Sequence, residues 1–439
     1  MKPTKLIAGL SVLALSGVAN ADVTVNITGA TAFRAAALKA IKSRFADSGQ
    51  PYKFAHDQAA GNLDAAAPNA TRAIFIGTFP GVSGTTTIRC CFTGSVEGIR
   101  AIAGISDPTP PTYYQPSLLD SVTAVAGTGG ELASQGTTGA ATAVSDIAFS
   151  DVSKSVTPYA SVALQPATPA AGVVVFTMLT NEGSTITNVT SQQFRALLGS
   201  GFQPLSMFTG VATDTTNVFV TGRNDGSGTR TTYLAESGFG VSKVVKQYVT
   251  NVSTSTALST IQLVPAGGVN VPALPGQNVG NASNVWGQDV AGNGGYVSGT
   301  TLRNDMGKTG LAVTVLDESG ADAFGAPVRA DLVTWLSVND AATARSNGAI
   351  FCAYNGVRLD GIAASGSNLT AADKAKVTNG AYTAWSYQQM YRRNALVSGD
   401  AVTVYNGIKA EIPTNLASAG IAIADMAVGR PSDGGVVAP

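Results

Sequence analysis

The run Arg223-Asn224-Asp225-Gly226-Ser227-Gly228-Thr229 holds residue types suited to binding an oxyanion, placed where a strand hands over to a helix. Upstream, Asn217 to Thr221 is a β-branched and aromatic run of the kind that forms a buried strand. Downstream, Thr231 to Ser237 reads as a short helix closed by Gly238. Gly226 and Gly228 remove side chains where backbone amides must face a ligand at close range. Ser227 and Thr229 put hydroxyls at the same helix N-terminus, where free N–H groups and the helix dipole favour an anion. Arg223 offers a planar fork of donors, and Asp225 is expected to hold that fork in place. Gly-Ser-Gly is also ordinary turn chemistry, so the rest of the chain has to decide between the two readings.

Further strand-glycine-helix units surround this one. Val23 to Ile27 alternates as a strand, ends at Thr28-Gly29-Ala30-Thr31, and leads into a helix over Ala32 to Phe45. Thr85 to Phe92 reads as a strand, turns at Thr93-Gly94-Ser95, and continues as a helix from Val96 to Ala103. Asp146 to Phe149 is a third strand, ending at Ser150-Asp151. Strands alternating with helices imply a parallel α/β sheet, and ligands on such sheets bind beyond the carboxyl ends of the strands. Thr31, Ser95 and Asp151 all fall at such ends. As lone residues, Thr31 and Ser95 would be helix N-caps and Asp151 a turn residue; Arg34 is expected on an exposed helix face.

Later segments extend the pattern. Ala171 to Thr180 is a strongly apolar strand, and Thr190-Ser191-Gln192-Gln193 is a capping box opening a helix that ends near Gly199. Gly310 to Leu316 and Ile350 to Tyr354 read as strands, Arg329 to Asn339 as a helix, and a capped helix is expected from Asn368. A Pro-, Gly-, Ser- and Thr-rich stretch at about 107–139 and a Gly- and Asn-rich one at about 265–300 read as irregular insertions.

Composition bounds the function. Lys and Arg together number 27, as do Asp and Glu, so net charge is zero and any anion recognition must be local. Charged residues make up 12%, so the polar surface is built from Ser, Thr, Asn, Gln and Gly. Lys2 and Lys5, the apolar run Leu6 to Val18 and Ala19-Asn20-Ala21 read as a secretory signal peptide cleaved after Ala21. The mature chain is then expected to be periplasmic or secreted and not membrane-spanning. His56 is the single histidine and the cysteines are Cys90, Cys91 and Cys352, which leaves little material for a metal site or a Ser-His-Asp triad. A bridge from Cys352 to Cys90 or Cys91 stays open, with a buried free thiol as the reading for the third.

Taken in order, these segments resemble the PstS-like family, the periplasmic phosphate-binding proteins of ABC transporters. Ile27-Thr28-Gly29-Ala30-Thr31-Ala32-Phe33 is similar to the family's first Gly-Ala/Ser-Thr loop. Thr93-Gly94-Ser95-Val96-Glu97-Gly98-Ile99 is similar to its Gly-Ser-x-x-Gly-Ile loop, and Phe149-Ser150-Asp151 to its strand-ending Ser-Asp. Arg223 to Thr229 matches its Arg-x-Asp-Gly-Ser-Gly-Thr signature, and Asn379 to Tyr387 resembles its Gly-x-Tyr-Pro-x-x-Ser-Tyr segment. The resemblance implies the type 2 periplasmic-binding-protein fold: two α/β lobes, each a mainly parallel sheet flanked by helices, with the ligand in the cleft between them. The lobes would divide as 22–175, 176–314 and a return to the first over 315–439.

The resemblance further implies a phosphate site built from Thr31, Ala32, Phe33, Ser95, Asp151, Arg223, Ser227, Gly228 and Thr229, supported by Asp225, with no cofactor and no metal. A monomer delivering phosphate to an ABC-transporter permease follows from it. The chain departs from the family at Arg34 and Thr383, where proline is usual, and at Ala32, where a hydroxyl is common. Two other function classes stand beside this one. A secreted phosphatase would need a nucleophile with its base, or metals, which the sequence does not supply. A cell-surface or matrix protein reusing the fold would suit the low charge and the long insertions.

Overall fold

The computed structural model describes residues 22–59, 63, 67, 69–106, 110–266, 279–280, 285–361, 369–416 and 420–439. The expected signal peptide and the cap at Asn368 lie outside them. The fold is mixed α/β, a large central sheet flanked by helices.

The first half of the chain supplies strands Val23–Gly29 (β1), Pro51–His56 (β2), Arg72–Gly77 (β3), Thr86–Cys91 (β4) and Ile147–Ser150 (β5), with helices Arg34–Asp47 (α1) and Ser95–Ile102 (α2). The second half supplies strands Ala170–Thr180 (β6), Phe202–Pro204 (β7), Asn217–Val220 (β8), Ala330–Ser337 (β9), Ile350–Tyr354 (β10) and Trp385–Arg393 (β11). Its helices are Ser191–Ser200 (α3), Gly228–Glu236 (α4), Gly299–Met306 (α5), Val338–Ser346 (α6) and Asp400–Asn415 (α7). One 16-stranded sheet runs through both halves, its main path ordered β7-β8-β9-β6-β11-β5-β1-β4-β3-β2.

The sheet is mixed, where a mainly parallel one was expected. β1 runs parallel to β4 and β5, and β8 parallel to β9. The pairs β2/β3, β3/β4, β6/β9, β6/β11 and β11/β5 are antiparallel. The short link between β3 and β4, from Gly77 to Thr86, accounts for part of this, because a short link can join only antiparallel neighbours.

Two large apolar cores hold most of the elements, and a smaller one packs Val96 and Ile99 of α2 against Ala148 and Tyr391. The first gathers Val25, Ile27, Leu38, Ile41, Phe45, Phe54, Phe75 and Ile88 with Val404 and Ile408 of α7. Alanines on α1 let α7 pack closely against it, while Phe45 stacks on Tyr52 and Phe75 at 5.7 and 5.9 Å. The second gathers Phe176, Leu197, Phe219, Leu234, Trp335, Tyr354 and Trp385. β6 links the two: its N-terminal half pairs with β11 and its C-terminal half with β9.

The structure corrects the sequence reading at several points. Of Arg329 to Asn339, read as a helix, Ala330–Ser337 forms strand β9, every residue of which is buried, and Val338 and Asn339 open α6. With both faces buried, Asp331, Thr334 and Ser337 included, the run has no inside–outside alternation to distinguish strand from helix. β9, β10 and Tyr382 all pack in the second core. The stretch 107–139 is not simply irregular. Thr112–Tyr114 pairs with Ala140–Thr142, Gly130–Leu132 adds to β2, and Tyr113 and Tyr114 are fully buried. Cys90, Cys91 and Cys352 are all free and buried, Cys90 in the first core and Cys352 in the second. No described helix is long and apolar enough to cross a membrane.

Gly29 closes β1 where no other residue fits. Its φ is +112°, and a Cβ there would lie 1.9 Å from the Phe149 carbonyl oxygen. Gly29→Ala is expected to lower folding stability by about 2–4 kcal/mol, measured by urea denaturation.

Candidate oxyanion-binding site

Strand ends from both halves meet at one place. β1 ends at Gly29, whose carbonyl accepts the Gly94 amide at 2.9 Å, so the turn before α1 lies against the turn before α2. β5 ends at Ser150, and the Asp151 amide donates to Ser95 Oγ at 3.0 Å. From the second half, β8 leads through Arg223 to Gly228 into α4. A Cβ on Gly228 would lie 2.2 Å from Ser95 Oγ and 2.9 Å from Asp151 Cβ, which only glycine permits. The Val96 amide donates across the junction to the Gly226 carbonyl at 3.1 Å.

The structure thus brings Ser95, Asp151 and Gly228 together, with Ser227 and Thr229 buried on either side of Gly228. Neither helix spends a side chain on its cap. Gly94 caps α2 and Ser227 caps α4, each without a side-chain bond, so the hydroxyls of Ser95 and Ser227 are not used as caps. The first-turn amides of α4 have no intrahelical acceptor, as at any helix start. The start of α4, with its free amides and the positive end of its dipole, lies directly against Ser95 and Asp151.

Thr31 stands half-buried in the turn before α1, whose cap is Phe33 rather than Thr31. Ala32 packs in the second core and Phe33 in the first, the Phe33 ring 5.6 Å from Phe149. The side chains of these two are packing residues at the junction.

Arg223 is buried, and its fork is held by carbonyls. Nε donates to Tyr296 O at 3.0 Å and one terminal nitrogen to Val297 O at 2.8 Å. Burial lowers its pKa, opposed by the charges of Asp340 and Asp151. Asp225, expected to hold that fork, accepts the Val285 amide at 2.7 Å. Tyr296, Val297 and Asp340 were absent from the sequence reading. A Cβ on Gly299 would fall 2.2 Å from Asp340 Oδ2 and 3.6 Å from an Arg223 terminal nitrogen, so carboxylate and guanidinium flank one glycine. Only the glycines of the 265–300 stretch hinted at such a close approach.

Arg34 is a correction: it is buried, not on an exposed face. It donates to Thr300 Oγ1 at 3.2 Å, and burial pushes its pKa down to about 10. Its helix is sandwiched at the junction, so the first turn of α1 has no solvent side.

Asp151 is 2% exposed, and its Oδ1 finds no hydrogen-bond partner among the described residues. Burial pushes its pKa up to about 7, against the Ser95 hydrogen bond and the Arg223 charge, while Asp433 adds to the rise. A carboxyl poised there switches between proton donor and acceptor near neutral pH. No group of His, Cys, Asp and Glu able to hold a metal occurs among the described residues.

No protein-family model and no curated protein sequence matches the chain. Among solved structures it is similar to an ABC-type phosphate transport receptor from Vibrio cholerae, at 11% identity and a TM-score of 0.40, covering 91% of this chain and 100% of that one. PstS from Borrelia burgdorferi matches at 11% identity and a TM-score of 0.34, over 91% of this chain and 98% of that one. A phosphate-binding protein from Stenotrophomonas maltophilia matches at 14% identity and a TM-score of 0.33, over 90% and 84%.

Proposed function

We propose that this protein binds a tetrahedral oxyanion, phosphate before others, as an exported solute-binding protein that hands its ligand to an ABC-type permease. One observation carries the reading: the N-terminus of α4 at Gly228 abuts Ser95 and Asp151 from the other half of the molecule. That junction sets helix-start amides, hydroxyls and a carboxyl beside one another, with the Arg223 charge close enough to act on Asp151. A cluster this tight suits a compact anion rather than an extended substrate. The two halves each have a core and share β6 and β11, an arrangement suited to hinge closure on a ligand. The lobes of this reading are 22 to β5 with α7 as the first, and β6 to β11 as the second.

Calorimetric titration of the chain starting at Asp22 with phosphate, sulfate and methylphosphonate tests it. Phosphate is expected to bind with a Kd in the micromolar range or tighter, about −8 kcal/mol, and sulfate far more weakly. No heat with any of the three would end the oxyanion reading.

A further inference from the structure

The C-terminal residues lie against both α4 and the turn that follows Asp151. Gly429 and Ala438 bond each other through Gly429 N to Ala438 O at 2.7 Å and Ala438 N to Gly429 O at 3.0 Å, closing the chain between them into a loop. One side of this loop is fixed to the second core. Arg430 donates to Glu236 Oε2 at 2.9 Å and to Thr383 O at 2.8 Å, with its guanidinium 4.1 Å from the centre of the Trp385 ring. Gly434, at a φ of +71°, runs against Ala235, where a Cβ would come within 2.4 Å of the carbonyl oxygen. The other side reaches the first half, where Asp433 Oδ2 accepts the Ser153 amide at 2.6 Å. Arg430 and Asp433 are each only 7% exposed. A single loop therefore holds both the C-terminal end of α4 and the turn that carries Asp151.

We propose that the loop Gly429–Ala438 is a clasp on the oxyanion site, in which Asp433 positions Asp151 through Ser153 and Arg430 fastens the loop to α4. The proposal rests on the oxyanion reading. Opening the cleft requires either the Asp433 tie or the Arg430 tie to break, so the clasp governs how fast ligand leaves. The charged and titratable groups facing Asp433 are Arg430, Asp151 and the Tyr391 hydroxyl, which itself accepts the Lys154 amide at 3.1 Å. Those facing Asp151 are Arg223 and Asp433. Asp433 thus acts on Asp151 both through the backbone tie and through its charge.

The test compares Asp433→Ala, Asp433→Asn and Arg430→Gln in the full mature chain, with inorganic phosphate as the probe. Asp433→Ala and Arg430→Gln are each expected to speed phosphate release about tenfold in stopped flow, since lost ties appear in the off-rate. Hydrogen exchange at the Ser153 amide should quicken in Asp433→Ala. Asp433→Asn keeps an acceptor oxygen and a matching shape, so release stays within about threefold of wild type. Removing its charge lowers the midpoint of the pH dependence of binding, a shift that a merely structural residue would not produce. Unchanged release in both Asp433→Ala and Arg430→Gln, or an unmoved midpoint in Asp433→Asn, overturns the clasp provided Arg223→Ala still abolishes binding. Full binding by Arg223→Ala instead overturns the oxyanion reading beneath it.

Discussion

Arg223→Ala is expected to abolish measurable phosphate binding. The guanidinium is buried, its Nε and one terminal nitrogen are committed to the Tyr296 and Val297 carbonyls, and the rest of the fork is held in a fixed direction. A charge preorganised in this way loses little entropy on meeting its ligand. Removing one partner of a buried, hydrogen-bonded charge pair costs about 2–5 kcal/mol, or about 30-fold to several thousandfold in Kd. Arg223→Lys is expected to lie between, because an ammonium keeps the charge but cannot serve both carbonyls and the ligand. Arg34→Ala is the control. Its guanidinium donates to Thr300, so the substitution should lower thermal stability while changing the phosphate Kd of the folded protein by less than about threefold. Equal losses from the two substitutions, read by calorimetry, would move the ligand away from the Ser95–Gly228 junction and overturn the assignment.

Asp151→Asn is expected to let sulfate in. A carboxylate repels an anion unless the anion brings a proton to share; hydrogen phosphate does so at neutral pH and sulfate does not. Burial pushes the Asp151 pKa from 3.8 up to about 7, so below that pH a growing fraction carries its own proton and can donate to sulfate. Wild-type affinity for sulfate is therefore expected to fall about tenfold per pH unit above pH 7 and to level off below it. In Asp151→Asn that slope should vanish and the gap between phosphate and sulfate narrow. The same shift has a consequence for the empty protein. Its folded-state value lies above the unfolded one, so the contribution of Asp151 to stability is complete below pH 3.8 and is lost as pH rises through about 7. Titrations of both anions from pH 5.5 to 8.5 check the prediction. Tight sulfate binding at pH 8 by the wild type would remove Asp151 from its selective role.

What the sequence alone determined was local. The strand, glycines and helix around Arg223–Thr229 were legible because β-branched residues, a glycine pair and a short helix lie within about 20 residues of one another. The Thr190–Gln193 capping box was legible for the same reason, and the structure forms both of its bonds. The α/β class followed from repeated strand-to-helix handovers, but strand direction did not. The pairing of β6 with both β9 and β11 joins segments more than a hundred residues apart, which no local pattern encodes. β9 was misread because burial on both faces erases periodicity, and Arg34 because only packing at the junction removes its solvent side. The partners of Arg223 lie 73 and 74 residues further on, and the C-terminal tie to Ser153 spans 280. Single residues reveal what chemistry is available; which of them share a buried space is settled only when distant strands close into one sheet and exclude water between them.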